Sequence, residues 1–286
     1  MNSIFTKHNP RPGTNTLLCE ARGLEELAVA CKGSSVSTPN IITVSQDALQ
    51  LQRISSSSPN AQAWKNLAKG LAHIHKTHND QFGWDEDNFI GLNPQKNGFN
   101  SNWGEFFLNQ RLGYQVQLIA ESELKSQLSN LLDKHHTKLV EFLNAQAPKP
   151  SLVHGDLWSG NVMFEGEQPY LIDPAAYYGD REVDLAMAKM FGGFDALFFQ
   201  TYDKEYPLPN GFDVRTTIYN PYHYLNHYNL FGGSYLSEVM AGLRDYGAAE
   251  FDSELGDLFI TIEALGMQEL VALGPEALLE RLRQGR

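Results

Sequence analysis

The sequence predicts an α+β fold in two unequal parts, β-rich over residues 1–55 and mainly helical over residues 56–286. Three observations predict it. Strand-like runs fill the first part at Ser3–His8, Asn40–Ser45 and Ala48–Ile54. From Ala61 onward, apolar residues recur at helical spacing. The helical part is interrupted at Ser151–Asp173, where two short apolar runs flank a turn at Glu165–Pro169 and read as a hairpin.

Each element follows from its own pattern. Ser3–His8 reads as a strand with Lys7 pointing out of it, followed by a turn-rich stretch at Asn9–Gly13. Leu17 to Ala30 places Leu17, Leu18, Ala21, Leu24 and Ala28 at helical spacing and carries Glu20. After two strands, Ser55–Asn60 is a loop by composition. The backbone of Gln52 to Ile54 either faces an adenine at a hinge or belongs to an ordinary surface loop. Trp64, Leu67, Ala68, Leu71 and Ile74 mark a helix with Pro59 near its start. His73, His75 and His78 read as exposed or packed imidazoles at the end of that helix, because no Cys or carboxylate accompanies them at metal-ligand spacing.

Phe82 to Gly98 reads as a long loop, a kind of segment that is often functional. Trp103, Phe106, Phe107, Gln110 and Tyr114 mark the next helix, and Leu124 to Phe142 another, ending before Pro148. After Asp173, Val183, Ala186, Met187 and Met190 form a helix face. Asp180, Glu182 and Asp184 read as its cap and first-turn acids, which the helix dipole favours. Holding the preceding loop or contacting substrate is the alternative role. A further helix is expected from about Pro221 to Leu230, with Asn220 as its cap. Two short amphipathic helices are expected between about Ala248 and Arg286.

The hairpin carries the chemistry. It would set Asp156, Asn161 and Asp173 at one edge of a sheet. His154-x-Asp156-x4-Asn161 has the spacing of a phosphoryl-transfer catalytic loop, and Asp173 stands where a second metal ligand belongs. Such a transition state is stabilised by position and charge. It needs a base for the attacking hydroxyl and oxygen ligands for a hard cation over the phosphates. Asp156 suits the base, and Asn161 and Asp173 suit the cation. A strand lysine paired with a helix glutamate steadies nucleotide phosphates in the same chemistry, which makes Lys7 and Glu20 candidates. The bland alternative is a polar hairpin with two acids capping turns.

Composition narrows the class. The formal net charge is −12, with 22 Lys and Arg against 34 Asp and Glu and no basic run. That excludes the basic face of a nucleic-acid binder. Cys19 and Cys31 make no disulfide framework and suit a reducing compartment. No apolar run has the length of a membrane span, and no leader is evident, so a cytoplasmic protein is expected.

The pieces IFTKHN, LCEARGLEEL, FGWDEDNFIGLNPQKNGFNSNWGEFFLNQRLGYQ, LVHGDLWSGNV, LIDPAAYYGDREVDLAM and LFGGSYL together resemble the fructosamine kinase (ketosamine-3-kinase) family. That family lies within the aminoglycoside-phosphotransferase and choline-kinase group of two-lobed, protein-kinase-like folds. Trp158, the Asn93-Pro94-Gln95 loop and Tyr178–Glu182 separate this sequence from aminoglycoside kinases. The resemblance implies ATP- and Mg2+-dependent phosphorylation of the sugar 3-hydroxyl of ketosamines, serving deglycation. It implies a small-molecule or protein-bound ketosamine as the substrate partner. Residue by residue, it implies Asp156 as base, with His154 orienting the loop, and Asn161 and Asp173 as metal ligands. It also implies Lys7 with its partner Glu20 at the nucleotide phosphates. Trp158, Asn93 and Gln95 are implied more weakly on the substrate side. Relatives carry two further strands and a glycine-rich turn before the strand of Lys7. The expectation is therefore either a shortened gene product or a relative with impaired nucleotide binding.

Overall fold

The structure is a computed structural model and describes residues 4–231. Its first layer is a three-stranded antiparallel sheet of β1 (Ile4–His8), β2 (Ile41–Val44) and β3 (Ala48–Gln52), in the order β1-β3-β2. Helix α1 (Thr16–Ala30) packs on one face, where Leu17, Ala21 and Leu24 meet Leu49 and Leu51 in a small core of their own. The register of β1 on β3 sets Lys7 opposite Leu49.

The chain then crosses through Ser55–Asn60. The Ser57 N–H donates to the carbonyl of Phe164 at 2.7 Å, which ties the crossing to a hairpin further along the chain. Helix α2 (Ala61–Ile74) begins where the Asn60 side chain accepts the Ala63 N–H at 2.9 Å, as an N-cap should. Its Leu67, Ala68, Leu71 and Ile74 are fully buried, and the helix lies along α7 (Ala196–Glu205).

The stretch from Phe82 to Gly98 is not loop throughout. It contains a short hairpin of β4 (Asn88–Ile90) and β5 (Asn93–Gln95). Three-residue strands rich in Asn show no period-two alternation, so the pattern hides them. A single rod then runs through α3 (Trp103–Phe106), a π-helical segment (Phe107–Gly113) and α4 (Tyr114–Leu118). The wide turn buries Arg111, whose guanidinium lies 3.9 Å from the centre of the Tyr177 ring. Helix α5 (Ser122–Asn144) packs across this rod.

The apolar run at Leu152 and Val153 does not pair with the run at Tyr170–Ile172: strand β6 (Ser151–Val153) pairs with β9 (Tyr177–Gly179), and the hairpin is β7 (Val162–Glu165) on β8 (Gln168–Leu171). Helix α6 (Glu182–Met190) follows and packs on α8 (Phe212–Phe231). Helix α8 begins well before Pro221, which lies inside it, so Asn220 is not a cap. The early turns form because Arg215, Ile218 and Tyr219 are buried against neighbours. Arg215 makes a two-pronged pair with Glu182, at 2.6 and 2.7 Å. The tail helices expected from Ala248 lie outside the described residues. Among the described residues, no helix is long and apolar enough to cross a membrane.

Candidate active site

The candidate site forms where the β7–β8 hairpin and the loop before it meet β1 and α1. Asn161 immediately precedes β7 and Asp173 lies just beyond β8, so the two ends of one hairpin bring them together. The Ile172 N–H donates to the Asn161 carbonyl at 3.1 Å and closes that end. The Asn161 amide donates to the Asp156 carbonyl at 2.8 Å and to its carboxylate at 3.0 Å. Both bonds use Nδ2, which sets Oδ1, an oxygen donor, on the other side of the amide.

His154 is fully buried. Its Nε2–H donates to the Ile172 carbonyl at 2.9 Å, and its Nδ1 accepts the Asp156 N–H at 3.3 Å. Burial lowers its pKa and keeps the ring neutral against the opposing influence of Asp184. The imidazole therefore acts as a strut between the loop of Asp156 and the strand exit at Ile172. Gly155 has φ +82°, and a Cβ there would collide with the Ala175 carbonyl. Glycine is required at this close approach. Asp173 also takes a left-handed conformation, with φ +54°.

Lys7 and Glu20 do meet. The Lys7 ammonium lies 2.6 Å from Glu20 and 3.2 Å from Asp173. Burial works against the lysine charge, but the two carboxylates outweigh it and hold the Lys7 pKa above its ordinary value. Burial, with Asp173 adding to it, pushes the Glu20 carboxyl up to about 7 against the pull of Lys7.

These residues line a cavity of about 770 Å³ that also takes in Trp158. Gln52, Arg53 and Ile54 lie on its wall, at the position read as a hinge. Asn88, Phe89, Asn226 and Leu230 form another part of the wall.

Asn93 and Gln95, expected towards the substrate, do not line this cavity. Gln95 is buried behind it, donating to the Ala175 carbonyl at 3.0 Å and accepting from the Tyr222 hydroxyl at 2.5 Å. Asn93 bonds Asn226. Both amides brace the wall from behind.

Sequence reasoning ranked Asp184 as a first-turn acid. The structure gives it a larger part. Its carboxylate accepts the N–H groups of His154 at 2.7 Å and Gly155 at 2.8 Å, so it holds the loop of Asp156 directly, which is the alternative role read for it in the sequence. His75 lies 3.2 Å from Asp184 through Nε2 and 2.7 Å from the Tyr202 hydroxyl through Nδ1. The Asp184 carboxylate can only accept, so Nε2 carries the proton; burial keeps the ring neutral, so Nδ1 accepts from the Tyr202 hydroxyl, which in turn accepts from Arg181 at 3.1 Å. Burial opposes the Asp184 charge, but the bonds from His75 and the loop prevail and hold its pKa below the usual carboxylate range. The i to i+30 spacing from His154 to Asp184 is a tertiary relationship with no local pattern to announce it.

Comparison with known proteins agrees with this geometry. Residues 1–248 match the family model for fructosamine kinase, and residues 234–286 match a domain of unknown function. The "Probable ketoamine kinase" of Synechocystis sp. is 39% identical over 254 residues, covering 84% of this chain and 81% of the relative. The "Protein-ribulosamine 3-kinase, chloroplastic" of Arabidopsis thaliana is 39% identical over 186 residues, covering 63% of this chain and 56% of the relative. The solved structure of a "putative fructosamine-3-kinase" from Thermobifida fusca superposes with a TM-score of 0.72 at 29% identity, covering 84% of this chain and 85% of that one. An ADP-bound aminoglycoside phosphotransferase, with a TM-score of 0.53 at 15% identity, covers 92% of this chain and 86% of that one and shares the fold. With a family match over residues 1–248 and a relative 39% identical over 84% of the chain, the chain belongs to the fructosamine kinase family, phosphotransferases that act on an alcohol group.

Proposed function

We propose that this protein transfers the terminal phosphoryl group of ATP to the sugar 3-hydroxyl of a ketosamine. The observation that carries the reading is the convergence of Asp156, Asn161, Asp173 and Lys7 on one cavity. Asp156 takes the proton of the attacking hydroxyl, and the new O–P bond forms as the bond to ADP breaks. Asn161 orients that base through its bond to the carboxylate. His154, neutral and doubly bonded, holds the loop at its distance from Asp173. Lys7 supplies a fixed positive charge for the phosphates, and Glu20 positions it.

The donor set fits magnesium. Asp173 and the Asn161 amide offer hard oxygen ligands, and a magnesium site needs only one or two such groups beside substrate phosphates. A cation held by Asn161 and Asp173 would neutralise charge on the phosphates. Phosphorylation at the 3-position makes a ketosamine prone to break down, so the activity would serve deglycation.

The test is ATP consumption with synthetic fructosyl- or ribulosyl-lysine, run beside Asp156→Asn. Turnover that depends on Asp156 supports the reading. Faster turnover of choline or kanamycin than of any ketosamine overturns it.

A further inference from the structure

Asn226 stands on the cavity wall, only 3% exposed, with its amide orientation fixed by a chain of four amides. The orientation can be derived from two backbone carbonyls, which can only accept. Asn93 Nδ2 lies 3.2 Å from the Asn226 carbonyl, so that atom is a donor, and it also donates to the Asn226 side chain at 3.0 Å. Asn229 Nδ2 lies 2.9 Å from the Gln115 carbonyl, so it too is a donor, and it gives a bond of 2.8 Å to Gln115 Oε1. The other end of Gln115 is therefore Nε2, which donates to Asn226 at 3.3 Å. Two donors point at one atom of Asn226, and that atom must be Oδ1. Nδ2 is turned away from both, and among the described residues no group accepts from it.

A preset amide donor on the wall of a polar-substrate cavity wants an acceptor oxygen. A sugar supplies hydroxyl oxygens in fixed relative positions. A site built to bond such an oxygen discriminates against analogues that lack it. Resting on the ketosamine reading above, we propose that Asn226 is a specificity-determining residue that donates from Nδ2 to a sugar oxygen of the ketosamine. Asn93, Gln115 and Asn229 are positioning residues that keep the amide from flipping.

The test measures KM and kcat for fructosyl-lysine, and for analogues each lacking one sugar hydroxyl, in wild type, Asn226→Asp and Asn226→Ala. Asn226→Asp keeps the oxygen that Asn93 and Gln115 address and removes the donor. Asn226→Ala avoids a new charge, so the two variants guard against a folding artefact. The expected result is a ketosamine KM raised about tenfold in either folded variant, with KM for ATP unchanged. One deoxy analogue, weakened on wild type, should lose nothing further on Asn226→Ala. Unchanged ketosamine KM overturns the inference while leaving the functional reading intact. So does a rise shared equally with ATP, or additive losses for every analogue. Absence of wild-type turnover on any ketosamine overturns both.

Discussion

Asp184 accepts the backbone N–H of His154 at 2.7 Å from the first turn of α6. One carboxylate thereby sets the height of the catalytic loop, because its second oxygen takes the next N–H, that of Gly155. Asp184→Asn replaces one acceptor with an N–H2 group that faces a donor. Bonds to a charged acceptor contribute about 1.5–3 kcal/mol each, and burial leaves no water to substitute. We expect a loss of roughly 3 kcal/mol in urea unfolding and a fall in kcat of tenfold or more. Wild-type stability in that variant would remove Asp184 from this role.

Asp156→Asn tests the base. The amide keeps the shape, and the oxygens of Asn161 and Asp173 proposed as metal ligands are untouched. kcat should fall by about 10²–10⁴, with ATP affinity preserved. Calorimetric titration of ATP beside single-turnover assays separates the two. Full turnover would sink the assignment.

Asp173→Ala tests the cation. Magnesium-dependent ATP binding should weaken by roughly tenfold or more, the factor that about 1.4 kcal/mol represents. Titration of ATP with and without magnesium reads it. If the magnesium dependence survives unchanged, Asp173 holds no metal.

A pH dependence follows from His223. It is buried in α8, where burial first and His227 second lower its pKa to about 3. The folded state keeps the ring neutral, whereas the unfolded chain protonates near pH 6.5. Below that pH the unfolded chain binds a proton that the folded one refuses, so stability falls as pH drops, from about 6.5 downward. His223→Gln removes this contribution. Between pH 7.5 and 5.5, wild type should lose about 1.4 kcal/mol more than the variant. Parallel urea curves at the two pH values decide it, and equal losses would place a charged ring at 223.

Local chemistry was legible in the sequence; tertiary support was not. His154, Asp156 and Asn161 lie in the loop just before the β7–β8 hairpin and Asp173 just after it, so a short stretch of chain brings them near one another. Lys7 and Glu20 were readable as a strand residue and a helix residue, and their 2.6 Å contact is what that pairing requires. The role of Asp184 depends on where α6 docks, and three acids at a helix start look alike until it has docked. His75 appeared as one imidazole among three at a helix end, yet it alone is locked between Asp184 and Tyr202. Pro221 looked like a helix start, because proline favours a first turn. The buried Arg215–Glu182 pair carries the helix past that signal. The resemblance points to Asn93 and Gln95 on the substrate side, but their amides bond Asn226 and the Ala175 carbonyl.

Gly155 has one more consequence. The loop of Asp156 and the segment after Asp173 touch main chain to main chain there, with the Ala175 N–H donating to the His154 carbonyl at 2.9 Å. The gap between the two acids is gauged by the thickness of a bare peptide and not by the length of any side chain. Repacking of the neighbouring core can therefore drift without retuning that gap. A side chain at 155 would act as a wedge, prising the base away from the cation site while leaving every reactive group in place.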